Sequence, residues 1–202
     1  MLLDIAVIPP KNIRSTIAQL TKKIDKKFGL RWRVDNRKLI PHITLFHLLA
    51  DNSDLPDILS TTERLAKKVQ PLNLHFGPIQ MGHLAFGVNI IPTGNLQEMH
   101  EMAVANFNKF RSGVTYDKFP SPPKHLSALG KKYLKKYGMP GVMKNFRPHI
   151  TLGMPQTPRE IDQIISYTNR FKLPKFRADT LAVTKINQYF QVIEIIKTFR
   201  LL

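Results

Sequence analysis

Apolar residues recur along this chain at the spacings of both strands and helices. Residues 2–8 alternate loosely and stop at Pro9-Pro10, which predicts a strand. Apolar side chains three and four apart then predict a helix; they are Ile13, Ile17, Leu20, Ile24 and Phe28. Asn12 or Ser15 is the expected N-cap, and Gly29 suits the C-terminal end.

The same two patterns continue to the C-terminus. Further helices are expected from Ser53 or Asp54, over 95–110, over 126–137 and from Pro158. Further strands are expected over 40–48, 72–81, 83–91, 147–155, 176–186 and 189–199, and the last two are expected to pair. A basic stretch at 31–38 and a basic insertion at about 111–145, with turn residues Pro120, Pro122 and Pro123, interrupt the alternation. Strands and helices thus alternate in two similar halves.

Composition narrows the class of protein. The 202 residues include 31 Lys and Arg against 14 Asp and Glu, a net charge of +17, and 43% of the residues are hydrophobic. This length suits one globular domain spanning 1–202, and the charge suggests a polyanionic partner such as RNA. The chain has no cysteine, no apolar run long enough to span a bilayer and no signal-peptide pattern at its N-terminus. We therefore expect a cytoplasmic monomer without membrane binding.

A repeated pentapeptide is the strongest chemical signal. Pro41-His42-Ile43-Thr44-Leu45 recurs as Pro148-His149-Ile150-Thr151-Leu152, once in each half of the chain. On a strand, the His and Thr of each copy share one face, while the Ile and Leu point to the other face and the core. Two such strands side by side would present two imidazoles and two hydroxyls to one groove.

This constellation suits phosphodiester cleavage by a paired acid and base. One neutral His accepts a proton from water or a hydroxyl group, and the other, protonated, donates to the leaving oxygen. The two hydroxyls would hold the phosphate oxygens. His42 and His149 are therefore the candidate catalytic residues, Thr44 and Thr151 the candidate phosphate ligands, and neither a metal nor a cofactor is required. The sequence leaves open which His is the acid.

The paired motifs resemble those of the 2H phosphoesterases, which carry two His-x-Thr/Ser-x motifs and include 2'-5' RNA ligase/cyclic phosphodiesterases. Residues 146–152 are particularly similar to the second family motif, and the layout of nearly the whole chain matches. The resemblance implies an α+β, bilobal duplicated fold of two antiparallel sheets with outer helices, and a central cleft holding both motifs. It also implies metal-independent action on 2',3'-cyclic or 2'-5' phosphodiesters. The Lys-x-Asp-Gly motif of adenylylating ligases is absent.

Several other residues are candidates for substrate contact. Strand parity places Phe46 beside His42, where it either stacks on a base or packs in the core, and it places His47 on the opposite, structural face. Lys38 and Arg147 lie close to the motifs and are possible phosphate contacts. Tyr133, on the basic helix, either stacks on RNA or packs inward. His75, His83, His100 and His125 lack metal-ligand spacing.

Two main classes of function are compatible with the sequence. The first is an enzyme that opens 2',3'-cyclic phosphate ends of RNA or oligonucleotides, or alternatively cleaves 2'-5' linkages. The second is a non-catalytic RNA or nucleotide-binding module, against which the two titrating histidines argue. A basic architectural protein is a weaker third possibility.

Overall fold

A computed structural model describes residues 1–82, 84–120 and 125–202 of the chain. The expectations for His83, Pro122 and Pro123 lie outside the described residues. The helices are α1 (Lys11–Phe28), α2 (Leu55–Ala66), α3 (Gly94–Phe107), α4 (Ala128–Tyr137) and α5 (Ile161–Thr168). The strands are β1 (Leu2–Val7), β2 (Leu30–Arg33), β3 (Ile43–Leu49), β4 (Leu72–Leu74), β5 (Phe76–Met81), β6 (Phe86–Ile90), β7 (His149–Pro155), β8 (Phe176–Ala178), β9 (Thr180–Ile186) and β10 (Val192–Arg200).

Two antiparallel four-stranded sheets carry the two motifs. The first has the order β10-β9-β1-β3, and the second has the order β2-β7-β6-β5. A two-stranded ribbon of β4 and β8 accompanies them. The motif strands β3 and β7 contact each other, so that the two sheets adjoin where the motifs begin. The predicted α+β fold of antiparallel sheets and helices is confirmed; the division into two pseudo-symmetric lobes stays a prediction.

The helices tie the two sheets together. Helix α1 follows β1 of the first sheet but packs against β2 and β7 of the second, whereas α3 follows β6 of the second sheet and packs against β3 of the first. The periodic residues Ile13, Ile17, Leu20 and Ile24 are all buried, because their spacing aligns them along one face of α1. Each of these two helices thus connects one sheet to the other.

The ends of α1 agree with the sequence at one terminus only. Gly29 ends the helix with a φ of 68°, a conformation that a glycine adopts without strain. The predicted N-cap at Asn12 or Ser15 is wrong. The helix already begins at Lys11, directly after Pro10 in extended conformation, and no side chain caps it. A proline has the fixed φ that leads into a helix without needing a capping side chain.

Three predicted segments are also divided differently in the structure. The strand expected over 176–186 is two strands, since Phe176–Ala178 pair with β4 whereas Thr180–Ile186 pair with β1 and β10. The basic stretch 31–38 overlaps an edge strand, β2, which pairs with the end of β7. The single strand expected over 72–81 is two strands, because Leu72–Leu74 pair with β8 whereas Phe76–Met81 pair with β6. The pairing partner changes at His75. A periodicity of two does not reveal such a change, since both strands bury alternate residues.

Candidate active site

A cavity of about 520 Å³ lies where the two motif strands begin. Its lining includes all four residues of the His-x-Thr pairs: His42 and Thr44 from the first sheet, and His149 and Thr151 from the second. Of the apolar pentapeptide residues, Ile43, Ile150 and Leu152 are buried in the core behind the cavity, and Leu45 is buried but also borders the cavity. The alternation that the sequence predicts thus brings the two motifs to one cavity.

Both imidazole rings are oriented by the same local hydrogen bond. His42 Nδ1 donates to the carbonyl oxygen of Ile40 at 2.8 Å, and His149 Nδ1 donates to the carbonyl oxygen of Arg147, also at 2.8 Å. A carbonyl oxygen only accepts, so each Nδ1 carries a hydrogen. Nε2 is consequently the nitrogen of each ring that is left to exchange protons with a ligand.

The two rings differ in their exposure to water. His42 is 4% exposed, whereas His149 is exposed at the mouth of the cavity. Burial lowers the pKa of His42 to about 4, with a further contribution from a positive charge on His149; hydrogen bonds to the backbone at Ile40 and Phe190 oppose the shift. His42 is therefore neutral at pH 7 and, because Nδ1 carries the hydrogen, the basic nitrogen of its ring is Nε2.

A buried acid, Asp4, lies beneath the first motif. Thr44 Oγ1 lies within hydrogen-bond distance of Asp4 Oδ2, at 2.8 Å, and Asp4 Oδ2 is 3.8 Å from Nε2 of His42 and 3.8 Å from Nε2 of His47. Burial raises the pKa of Asp4 well above its ordinary value, against hydrogen bonds from Thr44 and the backbone of Phe46. No sequence motif singles out this residue, although an acid inside the apolar strand 2–7 is a visible signal.

The prediction that His47 faces away from His42 is wrong. A β-bulge in β3 inserts Leu45 between Thr44, which pairs with Ala6, and Phe46, which pairs with Ile5. The extra residue shifts the alternation, so His47 returns to the cavity and its Nε2 lies 3.2 Å from Thr44 Oγ1. Burial and the charges of His42 and His149 lower the pKa of His47 to about 3.

The bulge itself is held by His100. Its Nδ1 donates to the carbonyl oxygen of Leu45 at 2.7 Å, and its Nε2 accepts from the backbone N–H of Met143 at 2.7 Å. The ring also stacks on Phe146 with 3.9 Å between centroids. This histidine, which lacks metal-ligand spacing in the sequence, connects the first motif to the segment that precedes the second.

The other predicted contact residues are distributed unevenly. Arg147 lines the cavity, and its guanidinium donates to the carbonyl oxygens of Lys144 and Phe146. Phe46 also borders the cavity but is only 1% exposed and belongs to the core, in agreement with the packing alternative. Lys38 is exposed on a turn held by Asp35, and Tyr133 packs partly buried against the core and Tyr137; neither lines the cavity.

Aromatic residues that the sequence patterns did not indicate surround the histidines. Trp32 of β2 lies 6.0 Å from Tyr189 of the β9–β10 turn, measured between ring centroids, and both line the cavity. Phe190 stacks on His47 at 4.6 Å and on Phe119 at 5.2 Å. Phe190 adopts a φ of 58°, which a tight turn imposes and which no side-chain pattern predicts.

The described part of the chain, which omits residues 83 and 121–124, contains no group of three or more His, Cys, Asp or Glu that could hold a metal ion.

The basic insertion supplies four exposed lysines on α4: Lys131, Lys132, Lys135 and Lys136. The chain after α4 reaches the cavity through Met139, Gly141 and Val142. Positive charge thus lies on the element that leads into the second motif.

Comparison with known families identifies the superfamily of this chain. A model of the 2'-5' RNA ligase superfamily matches residues 9–189. The chain belongs to this superfamily. Its predicted resemblance to the 2H phosphoesterases is confirmed at that level. No curated protein sequence matches the chain.

Solved structures extend this superfamily assignment to the fold of the whole chain. TT0787 of Thermus thermophilus is 19% identical, with a TM-score of 0.59 over 100% of this chain and 98% of that chain. Apo LigT of E. coli is 15% identical, with a TM-score of 0.54 over 99% and 96%. LigT complexed with 3'-AMP is also 15% identical, with a TM-score of 0.54 over 98% and 96%. At these identities the likeness concerns the fold.

We also searched the helices for one that could cross a membrane. Within residues 1–82, 84–120 and 125–202, every helix is too short or too polar to cross a bilayer. The expected cytoplasmic location and monomeric state stay predictions.

Proposed function

We propose that this protein is a metal-independent phosphodiesterase that opens 2',3'-cyclic phosphate ends of RNA or oligonucleotides. The observation that carries the proposal is the pair of imidazoles, each with Nδ1 bonded to a backbone carbonyl, lining one cavity. Membership of the 2'-5' RNA ligase superfamily supports the same chemistry. Binding alone would not need two titratable groups held in this way.

The different burial of the two histidines supports an assignment of their roles. His42 is buried and neutral at pH 7, so its Nε2 accepts a proton from the attacking water. His149 is exposed at the mouth of the cavity, and in its protonated form it donates a proton to the departing ribose O3'. The water oxygen bonds to phosphorus as the P–O3' bond breaks, which leaves a 2'-phosphate and a 3'-hydroxyl. The proton then passes back from His42 to His149 through solvent.

The two threonines complete the phosphate site. Thr44 and Thr151 border the cavity beside the histidines, and their hydroxyls would donate to the non-bridging oxygens. Arg147 lines the same cavity, and a modest rearrangement of its guanidinium would add charge-assisted hydrogen bonds to the phosphate.

The test uses 2',3'-cyclic nucleotides and cyclic-ended RNA in excess EDTA. We expect EDTA-resistant turnover to a 2'-phosphate, and a loss of about 10²–10⁴-fold in kcat for each of His42→Ala and His149→Ala. His125→Ala, which changes an exposed histidine outside the cavity, is the control and should retain native activity.

Three outcomes would contradict the proposal in different ways. Turnover of 2'-5'-linked oligonucleotides alone would select the linear alternative. RNA binding without turnover of any substrate would select the non-catalytic module. Activity that EDTA abolishes and added metal restores would exclude the metal-independent mechanism.

A further inference from the structure

Asp4 is the most unusual polar group of the described structure. It lies in the middle of β1, is 0% exposed, and makes no hydrogen bond through Oδ1. Its other oxygen, Oδ2, is 2.8 Å from Thr44 Oγ1 and 3.8 Å from Nε2 of both His42 and His47. The carboxyl group thus contacts the side chain that would bind phosphate, from the side opposite to the cavity.

An ionised carboxylate at this position would be compensated only by hydrogen bonds from Thr44 and the backbone of Phe46, which do not offset its burial. Two titratable groups face Asp4 from the first motif strand: His47 of β3, which is partly buried, and His42 directly before β3, which is buried. From β9, the opposite residue is the uncharged Thr184, and the neighbouring Lys185 is exposed. His149 lies across the cavity. A negative charge here would also repel the phosphate that Thr44 is proposed to hold.

A second difficulty concerns the hydrogen of the Thr44 hydroxyl group. When Asp4 is ionised, Thr44 donates its hydrogen to Oδ2 and has none left for a phosphate oxygen. When Oδ2 is protonated, the same contact reverses, because the carboxylic acid donates to Thr44 Oγ1. Before substrate binds, the Thr44 hydrogen then points to His47 Nε2, 3.2 Å away, and it is free to turn to a phosphate.

We propose that Asp4 is a positioning residue that works as a neutral carboxylic acid, donating its proton to Thr44 so that Thr44 can donate to the substrate phosphate. This inference rests on the proposed phosphate site, and it adds a specific requirement: the group beneath Thr44 is a hydrogen-bond donor without charge. Burial raises the pKa of Asp4, in agreement with this state.

Comparing Asp4→Asn with Asp4→Ala separates the effect of a hydrogen-bond donor at position 4 from the effect of a charge there. The amide of Asn can donate to Thr44 as the protonated carboxyl does, whereas Ala cannot. We expect Asp4→Asn to bind inorganic phosphate and turn over substrate within about threefold of native, and Asp4→Ala to bind phosphate about tenfold more weakly with a comparable loss of kcat. Thr184→Val is the matched control. It removes a different buried hydroxyl group, which donates to the backbone carbonyl of Asp4, and should leave phosphate affinity unchanged.

Histidine titration by NMR tests the charge without using activity. A neutral Asp4 predicts that the midpoints of His42 and His47 are the same in the native protein and in Asp4→Asn. Lower midpoints in Asp4→Asn, together with about tenfold tighter phosphate binding, would show that the native residue is ionised and would overturn the proposal. So would equal losses in the Asn and Ala variants. A native protein that binds phosphate but has no turnover contradicts the proposed catalysis alone, whereas one that binds no phosphate contradicts both.

Discussion

Identical pentapeptides place their histidines in unlike surroundings. His42 directly precedes an edge strand whose face is closed by the β9–β10 turn, whereas His149 begins an inner strand at an open mouth. The difference comes from the neighbouring chain and not from the motif, since both rings make the same hydrogen bond to the carbonyl two residues earlier. The proposed division of labour between base and acid therefore follows from packing around the motifs.

His47 gives this site a measurable effect on stability. Its pKa is lowered to about 3 in the folded protein, against about 6.5 in the unfolded chain. Between these values the unfolded chain binds more protons, so the free energy of unfolding falls as pH is lowered below about 6.5. Replacing His47 with Gln removes this contribution. We expect the loss of unfolding free energy between pH 7 and pH 5 to be about 2 kcal/mol smaller in His47→Gln than in the native protein.

Urea unfolding at both pH values measures this difference. His42 continues to contribute in both proteins, since its pKa is also lowered, so some acid sensitivity will remain in the variant. Replacing the exposed His125 with Gln is the control and should leave the pH dependence unchanged. Equal slopes for native and His47→Gln would mean that His47 is not held neutral in the folded state.

At the level of secondary structure, the sequence predicts features that follow from a regular alternation of apolar and polar residues. It misses features that depend on contacts with a distant segment of the chain. Strand alternation correctly places His42 and Thr44 on the cavity and Ile43 in the core. It fails three residues later at His47, because the bulge at Leu45 is stabilised by a hydrogen bond from the distant His100. Strand β2 is missed for a similar reason: it is a short polar edge whose identity comes from pairing with β7.

A tight contact between β6 and β7 offers a test of how the strands position His149. A Cβ built on Gly87 would lie 2.8 Å from the carbonyl oxygen of Ile150 and 3.3 Å from Cδ2 of His149. The backbone oxygen is in the sheet and cannot move far, so β7 must shift. We expect Gly87→Ala to lose about 1–3 kcal/mol of unfolding free energy. Because His149 moves with β7, kcat should fall at least about tenfold.

The control for this substitution is Gly94→Ala. Gly94 begins α3, a Cβ there would meet no atom within 4 Å, and alanine favours a helix. It should keep native turnover and native or higher stability in the same urea and cyclic-nucleotide assays. Native kcat in Gly87→Ala would contradict the view that β6 fixes the position of His149.

On the scale of the whole molecule, helices hold the two sheets in contact. The chain also carries a large excess of positive charge. Helices α1 and α3 each follow a strand of one sheet and pack on the other, which fixes the two motif strands relative to each other. The net charge of +17 adds attraction for a polyanion but does not say where it docks. Helix α4 is the favoured location, because its lysines lie on the segment that leads to the cavity through Met139 and Gly141.

A comparison of two matched lysine pairs tests this location. Lys131→Gln with Lys135→Gln removes two exposed charges, four residues apart, from α4, and Lys22→Gln with Lys26→Gln does the same on α1. Both double variants have the same net charge. If RNA docks along α4, only the first weakens binding of cyclic-ended single-stranded RNA, and the slope of log affinity against log salt falls by about 0.7 for each lost phosphate contact. Turnover of a cyclic mononucleotide, too short to reach α4, should stay native in both. Equal weakening by the two pairs would mean that the charge acts through the overall field and that α4 is not a docking element.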